Sequence, residues 1–153
     1  MGNHGARFLG DAMPSDQPQV TVTRRLHFSA AHRVHNPAMS DEENQRVFGK
    51  CNNPNWHGHN YILDVSVTGA LDSRTGYVID LSRVKQIVEE SVMRHVDHRN
   101  LNLEVDFLRG VIPTTENIVV AFWRVLEPAL RPARLSKLVL WETVNNYVEY
   151  DGR

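Results

Sequence analysis

Residues 57–69 read HGHNYILDVSVTG. Tyr61, Leu63, Val65 and Val67 fall on one parity, and Asn60, Asp64, Ser66 and Thr68 on the other, with Ile62 the one exception. Successive side chains of a strand point to opposite faces, so this alternation predicts a half-buried β-strand. The same rule sets His57 and His59, two residues apart, side by side on one face. A strand that lines a core therefore begins with a pair of imidazoles.

Upstream, Val20, Val22, Leu26 and Phe28 share one parity against Thr21, Thr23, Arg25, His27 and Ser29, and only Arg24 breaks the pattern. This predicts a first strand that pairs with the second. Between them, SDEENQRVFG (40–49) predicts a short solvated helix, with Ser40 as N-cap and Glu43 completing a capping box. Downstream, LDSRTG (71–76) reads as a turn, and Val84, Ile87, Val88 and Val92 form a helical stripe through about Arg94. A second long helix opens at TTEN (114–117) and carries Ile118, Val119, Phe122, Val125 and Leu126, with Pro128 ending or kinking it. Residues 134–152 read as a hairpin, with Asn145-Asn146 as a two-residue turn because Asn tolerates positive φ.

This order predicts an α+β domain: a four-stranded antiparallel sheet with two helices on one face. The single domain is expected to span residues 20–153, after a flexible leader over 1–19. A sheet this small has two open edges, which predicts oligomer formation through them.

The chain has 153 residues, enough for one domain with a core. With 41% hydrophobic and 23% charged residues it has the balance of a soluble globular protein. A net charge of −1 lacks the basic surplus of a general nucleic-acid binder. The single cysteine cannot form an intramolecular disulfide, which suits a reducing compartment. The longest apolar run, Ile118–Trp123, is too short to span a membrane. The N-terminus has no secretory pattern. Cytoplasmic residence is the expectation by elimination.

Two imidazoles on one strand face can chelate a metal ion, and a third would leave one position open for water or substrate, the arrangement of catalytic zinc. His27, His32 and His35 lie near the end of the first strand. By position His32 is preferred, then His35. Cys51 sits in an Asn/Pro/Gly-rich loop beside Lys50, whose charge favours thiolate. It could be a base or nucleophile, or a fourth ligand that closes a structural site; spacing alone leaves both open. Asp97 and His98 are adjacent, so the carboxylate could orient the imidazole as an acid–base relay. Glu142 shares parity with Leu138 and Leu140. A carboxylate facing inward needs a partner, such as the paired N–H donors of a heterocycle.

Taken together, FSAAHR (28–33), SDEENQRVFGKCNNPNWHGHNY (40–61), VDHRNLN (96–102), PTTENI (113–118) and WETVNNYVEY (141–150) resemble the 6-pyruvoyl-tetrahydropterin synthase family. The resemblance implies the T-fold, with sheets of three subunits joined edge to edge into a barrel and two trimers stacked as a hexamer. It implies Zn2+ on His32, His57 and His59. It implies Cys51, Asp97 and His98 as catalytic residues, the Asp-His pair coming from a neighbouring subunit. Glu142 would anchor the pterin ring, with Thr114, Thr115 and Glu116 lining its pocket. The implied reaction is a zinc-assisted elimination of triphosphate from 7,8-dihydroneopterin triphosphate, giving 6-pyruvoyl-tetrahydropterin on the tetrahydrobiopterin route.

A related activity takes the same substrate to 6-carboxy-5,6,7,8-tetrahydropterin with release of acetaldehyde and triphosphate, on the queuosine route. The five-residue gap between Cys51 and the H-G-H segment resembles the pyruvoyl enzymes. Trp56 departs from the animal pattern, which has glycine there. A non-catalytic zinc module is the more distant alternative.

Overall fold

The computed structural model describes residues 17–153. The leader expected over 1–19 lies, through residue 16, outside the described residues, and Gln19 already belongs to a strand. β1 (Gln19–His32) and β2 (His57–Ala70) pair antiparallel along their whole length, from Gln19↔Ala70 to His32↔His57. That register sets Leu26 opposite Leu63 and Phe28 opposite Tyr61, all buried on one face. The Phe28 and Tyr61 rings stack with centroids 4.8 Å apart.

The opposite face carries a ladder of polar pairs: Thr21 with Thr68, Thr23 with Ser66, and Ser29 with Asn60. Arg25 grips Asp64 with two bonds of 2.7 and 2.8 Å. The Arg25 hydrogen bond holds the Asp64 carboxyl below its ordinary range. Each rung joins residues that the same register places opposite one another.

The sheet order is β3-β1-β2-β4-β5, with β4 (Arg134–Trp141) antiparallel to β2 and β5 (Tyr147–Tyr150) antiparallel to β4. The four expected strands are present. The fifth, β3 (Arg99–Asn100), lies parallel to Ala30 and Ala31 and is held where Leu101 N–H donates to the Ala31 carbonyl. A two-residue strand shows no alternation, so sequence periodicity does not reveal it.

α1 (Asp41–Phe48) has the expected capping box: the Ser40 hydroxyl accepts from Glu43 N–H, and the Glu43 carboxylate accepts from Ser40 N–H. α2 (Leu81–Val88) is capped by Asp80 and runs through a π-helical stretch (Glu89–Met93) into α3 (Arg94–Val96). α4 (Thr115–Leu130) is capped by Thr114, and Pro128 stands inside it near its end. Val84, Val88, Val92, Ile118, Phe122 and Leu126 bury against the Leu26/Phe28 and Leu63/Val65 face, so both helical segments cover one side of the sheet. Burying each such side chain contributes about 1.5–3 kcal/mol.

The β4–β5 connection corrects the expected two-residue Asn145-Asn146 turn. The loop runs from Glu142 to Asn146, because β4 ends at Trp141 and β5 starts at Tyr147. Thr143 Oγ1 accepts from the N–H groups of both Asn145 and Asn146 and shapes the turn from its side chain. Neither Asn takes positive φ.

Positive φ occurs instead at Trp56, at 68°. Trp56 N–H donates to the Asn53 carbonyl at 3.0 Å, closing the turn that delivers the chain into β2. Glycine occupies this region freely, whereas a residue with a Cβ is strained there by about 1–2 kcal/mol. Two variants separate backbone from indole: Trp56→Gly should be more stable than Trp56→Ala by about 1 kcal/mol in urea unfolding. Equal midpoints would show that the turn relaxes away from positive φ.

Candidate active site

His32 and His57 are cross-strand partners, and His59 lies opposite Ala30 on the same face. The three rings continue the apolar face below the Phe28–Tyr61 stack. Their centroids are 4.5 Å (His32–His57), 5.1 Å (His32–His59) and 5.1 Å (His57–His59) apart. One nitrogen from each lies within 4.8 Å of the others. Gly58 separates the pair on β2 for a steric reason: a Cβ there would stand 3.0 Å from the Ala30 carbonyl oxygen.

The nitrogens fit a cation. His32 is fully buried, and its Nδ1 lies 2.9 Å from the Pro113 carbonyl. Nδ1–H therefore donates to that carbonyl and Nε2 turns its lone pair to the centre. His32 Nε2, both nitrogens of His57, and His59 Nε2 are buried without a hydrogen-bond partner. Leaving such groups unpaired costs about 1–3 kcal/mol each, and a metal ion would satisfy one nitrogen of each ring together. Burial pushes His32 down to about 4, opposed first by the Pro113 hydrogen bond and helped to a lesser degree by the neighbouring imidazoles. Burial and His59 lower His57 as well. At neutral pH His32 is thus the neutral imidazole that metals require.

Of the other early histidines, His27 is exposed and lies on the polar face opposite Ile62. His35 is taken up elsewhere, with Nδ1 2.9 Å from Asn52 Oδ1.

That contact belongs to the scaffold of the Cys51 loop. Gly49–Asn52 forms one 3-10 turn. It is tied to the chain beyond β1 by Val34 N–H to the Cys51 carbonyl (2.8 Å) and Arg33 Nε to the Asn52 carbonyl (2.8 Å). Asn44, fully buried, clamps the 36–40 segment by bonding both N–H and C=O of Asn36. These Asn contacts carry no periodic signal in the sequence beyond the density of Asn around the cysteine. Cys51 is exposed and is not part of the three-histidine cluster.

Cys51, Thr114, Thr115, Glu116, Glu142 and Tyr147 line one cavity of about 410 Å³. Thr115 Oγ1 donates to Glu142 Oε1 at 3.0 Å, and that oxygen is 3.7 Å from both His32 Nε2 and His59 Nε2. The cavity and the histidine cluster thus share a wall at Glu142.

Asp97 and His98 lie elsewhere on the chain. Asp97 Oδ2 is 3.0 Å from His98 Nδ1, and Asp97 Oδ1 accepts from Ser29 N–H at 2.9 Å. The Ser29 hydrogen bond, ahead of His98, holds the Asp97 carboxyl low. His98 takes φ 57°, and its side chain is 80% exposed. It borders a surface depression with Gly58, His59 and Asn60 instead of lining the Cys51 cavity.

These features describe an α+β protein with three histidines placed to hold a metal ion beside a pocket holding a thiol and two carboxylates. The sequence profile of the family described as 6-pyruvoyl tetrahydropterin synthase matches residues 21–153. The human protein named 6-pyruvoyl tetrahydrobiopterin synthase is 46% identical over 134 residues, 88% of this chain and 92% of that one. The Drosophila melanogaster protein of the same name is 42% identical over 139 residues, 90% of this chain and 83% of that one. A solved structure of Caenorhabditis elegans 6-pyruvoyl tetrahydropterin synthase superposes with a TM-score of 0.85 at 40% identity, covering 90% of this chain and 98% of that one. The chain belongs to the 6-pyruvoyl tetrahydropterin synthase family, and its fold is the T-fold. It is an enzyme of the lyase type.

The depressed His32 gives a signed pH dependence. Unfolded, the imidazole takes its proton near 6.5; folded, it resists until about 4. The unfolded state binds more protons in that window, so metal-free protein loses stability as pH falls through it. Urea unfolding with chelator present should show a steeper loss from pH 6.5 to 4.5 in wild type than in His32→Gln. Parallel profiles would contradict the buried neutral imidazole.

Proposed function

We propose that the chain converts 7,8-dihydroneopterin triphosphate to 6-pyruvoyl-tetrahydropterin with loss of triphosphate, using Zn2+ on His32, His57 and His59. The observation that carries this reading is the shared wall at Glu142, which puts a thiol-bearing cavity against three imidazoles that each present an unpaired nitrogen. An all-nitrogen site of three histidines suits zinc. When bound, Zn2+ supplies Lewis acidity toward side-chain oxygens of the substrate.

The chain's own residues do the rest. Cys51 is the base that removes the proton from the carbon next to a side-chain hydroxyl. Glu142 and Glu116 offer carboxylates to ring N–H donors, with Thr114 and Thr115 on the same wall. Asp97 accepts from His98 Nδ1–H, which fixes the tautomer and leaves Nε2 to carry protons during the internal redox tautomerisation. Triphosphate departs with the electrons of the broken C–O bond, and no external electron carrier is consumed.

His98 lies outside the Cys51 cavity of its own chain, which supports its service to a neighbour's site. β1 is paired on its outer side only at Ala30 and Ala31, and β5 has no outer partner among the described residues. Such edges support trimers closed through their sheets, stacked in pairs as a hexamer. The domain is residues 20–153, and its place of work is the cytoplasm. Among the described residues no helix is long and apolar enough to cross a membrane.

The second reading is the 6-carboxy product with acetaldehyde, raised by the departure at Trp56, immediately before His57, from the pattern of the pyruvoyl enzymes. Incubation with 7,8-dihydroneopterin triphosphate and mass analysis separates the two: a pyruvoyl product supports the proposal, and acetaldehyde with a carboxy product contradicts it. Cys51→Ala should retain zinc and lose about 100-fold or more in turnover. Loss of zinc would point to a structural site closed by sulfur, and unchanged turnover would remove Cys51 as the base.

A further inference from the structure

Glu142 has a place in the site that pterin binding alone does not explain. Its Oε1 lies 3.7 Å from His32 Nε2 and 3.7 Å from His59 Nε2, and both nitrogens are buried and otherwise unpartnered. Donors around a tetrahedral ion with bonds of ~2.0–2.1 Å stand about 3.4 Å apart. Oε1 is therefore already near ligand-to-ligand spacing from two of the three histidine donors. The oxygen is also held in place. Thr115, buried in the first turn of α4, donates to it at 3.0 Å, and ligating carboxylates are characteristically hydrogen-bonded in this way.

Charge and shape agree with that spacing. Three neutral imidazoles leave a divalent ion uncompensated, and Glu142 is the carboxylate that approaches them. Glu142 follows directly on Trp141, the last residue of β4, where Trp141 pairs with Ile62 of β2. The carboxylate is thus carried by the same sheet that carries His57 and His59.

We infer that Glu142 is a fourth protein ligand, which closes the metal's remaining position through Oε1 while the pocket is empty and yields it when substrate oxygens arrive. This rests on the proposed metal site at His32, His57 and His59. One carboxylate then serves metal and pocket in turn, so an empty pocket holds a closed, unreactive centre and a filled pocket an open one.

Cobalt(II) titrated into metal-free protein tests this without turnover, because its visible bands report the donor set and coordination number. Glu142→Gln should shift those bands from the wild-type pattern and weaken Co2+ binding about 10–100-fold. Thr115→Val keeps the carboxylate but removes the hydroxyl that holds it, and should weaken binding by less. Glu142→Ala serves as a second variant, in case the Gln amide oxygen itself ligates, with circular dichroism confirming that each variant is folded. Unchanged bands in both Glu142 variants overturn the inference, even if affinity falls, since a nearby charge that does not ligate would do only that. Wild-type protein that takes up no Co2+, or uptake that survives His32→Ala together with His59→Ala, overturns the three-histidine site and the inference with it.

Discussion

The antiparallel register between β1 and β2 is the constraint on which the rest depends. It runs from Gln19↔Ala70 to His32↔His57, and every rung has consequences on both faces. A slip of one residue would set His32 opposite Gly58 and turn one strand's side chains to the wrong face. The core pairs Leu26–Leu63 and Phe28–Tyr61 and the polar pair Arg25–Asp64 all require the same alignment. Hydrophobic burial on one face and hydrogen bonding on the other thus jointly fix where three imidazoles meet. The His32–His57 pair is the final rung of that register.

Around that rigid end the remaining groups are placed by backbone contacts and short polar networks. The Cys51 loop is held through Arg33, Val34 and His35, which directly follow His32. Pro113, just before the N-cap of α4, orients His32 with its carbonyl, and Thr115 two residues on holds Glu142. A single stretch at the start of α4 thereby positions one group on each side of the shared wall. The Asp97–His98 pair is equally well held, by both the N–H and C=O of Ser29, but it faces outward. Its fixed geometry on an exposed surface is what gives the open sheet edges a functional meaning in the proposed assembly.

Sequence periodicity read the long elements well because each has one buried and one solvated face. β1, β2, α2 and α4 were all legible in that way, and the Ser40 capping box was visible from two residues. The choice of His32 over His27 and His35 followed from strand position: His27 has the wrong parity, and His35 lies beyond the strand. What was hidden had no period. β3 is two residues long, the β4–β5 turn is shaped by the Thr143 hydroxyl, and the Asn44 and Asn52 contacts join segments through single amides. The left-handed φ at Trp56 was concealed because indole is an unexpected occupant of such a turn. Parity with Leu138 and Leu140 turns Glu142 inward, but its approach to the histidines depends on how β4 lies against β2.

Folding and chemistry therefore share their determinants here: the residues that bury the sheet also aim the donors, and the loops add the reactive groups. The central claim is that one metal ion sits among His32, His57 and His59. Crystals of the purified protein, with diffraction recorded on both sides of the zinc absorption edge, test it most directly. The account predicts one anomalous peak per chain, bonded at ~2.0–2.1 Å to one nitrogen of each of the three histidines and not to Cys51 sulfur. No peak among these rings, or a peak whose ligands include the Cys51 sulfur, would contradict it.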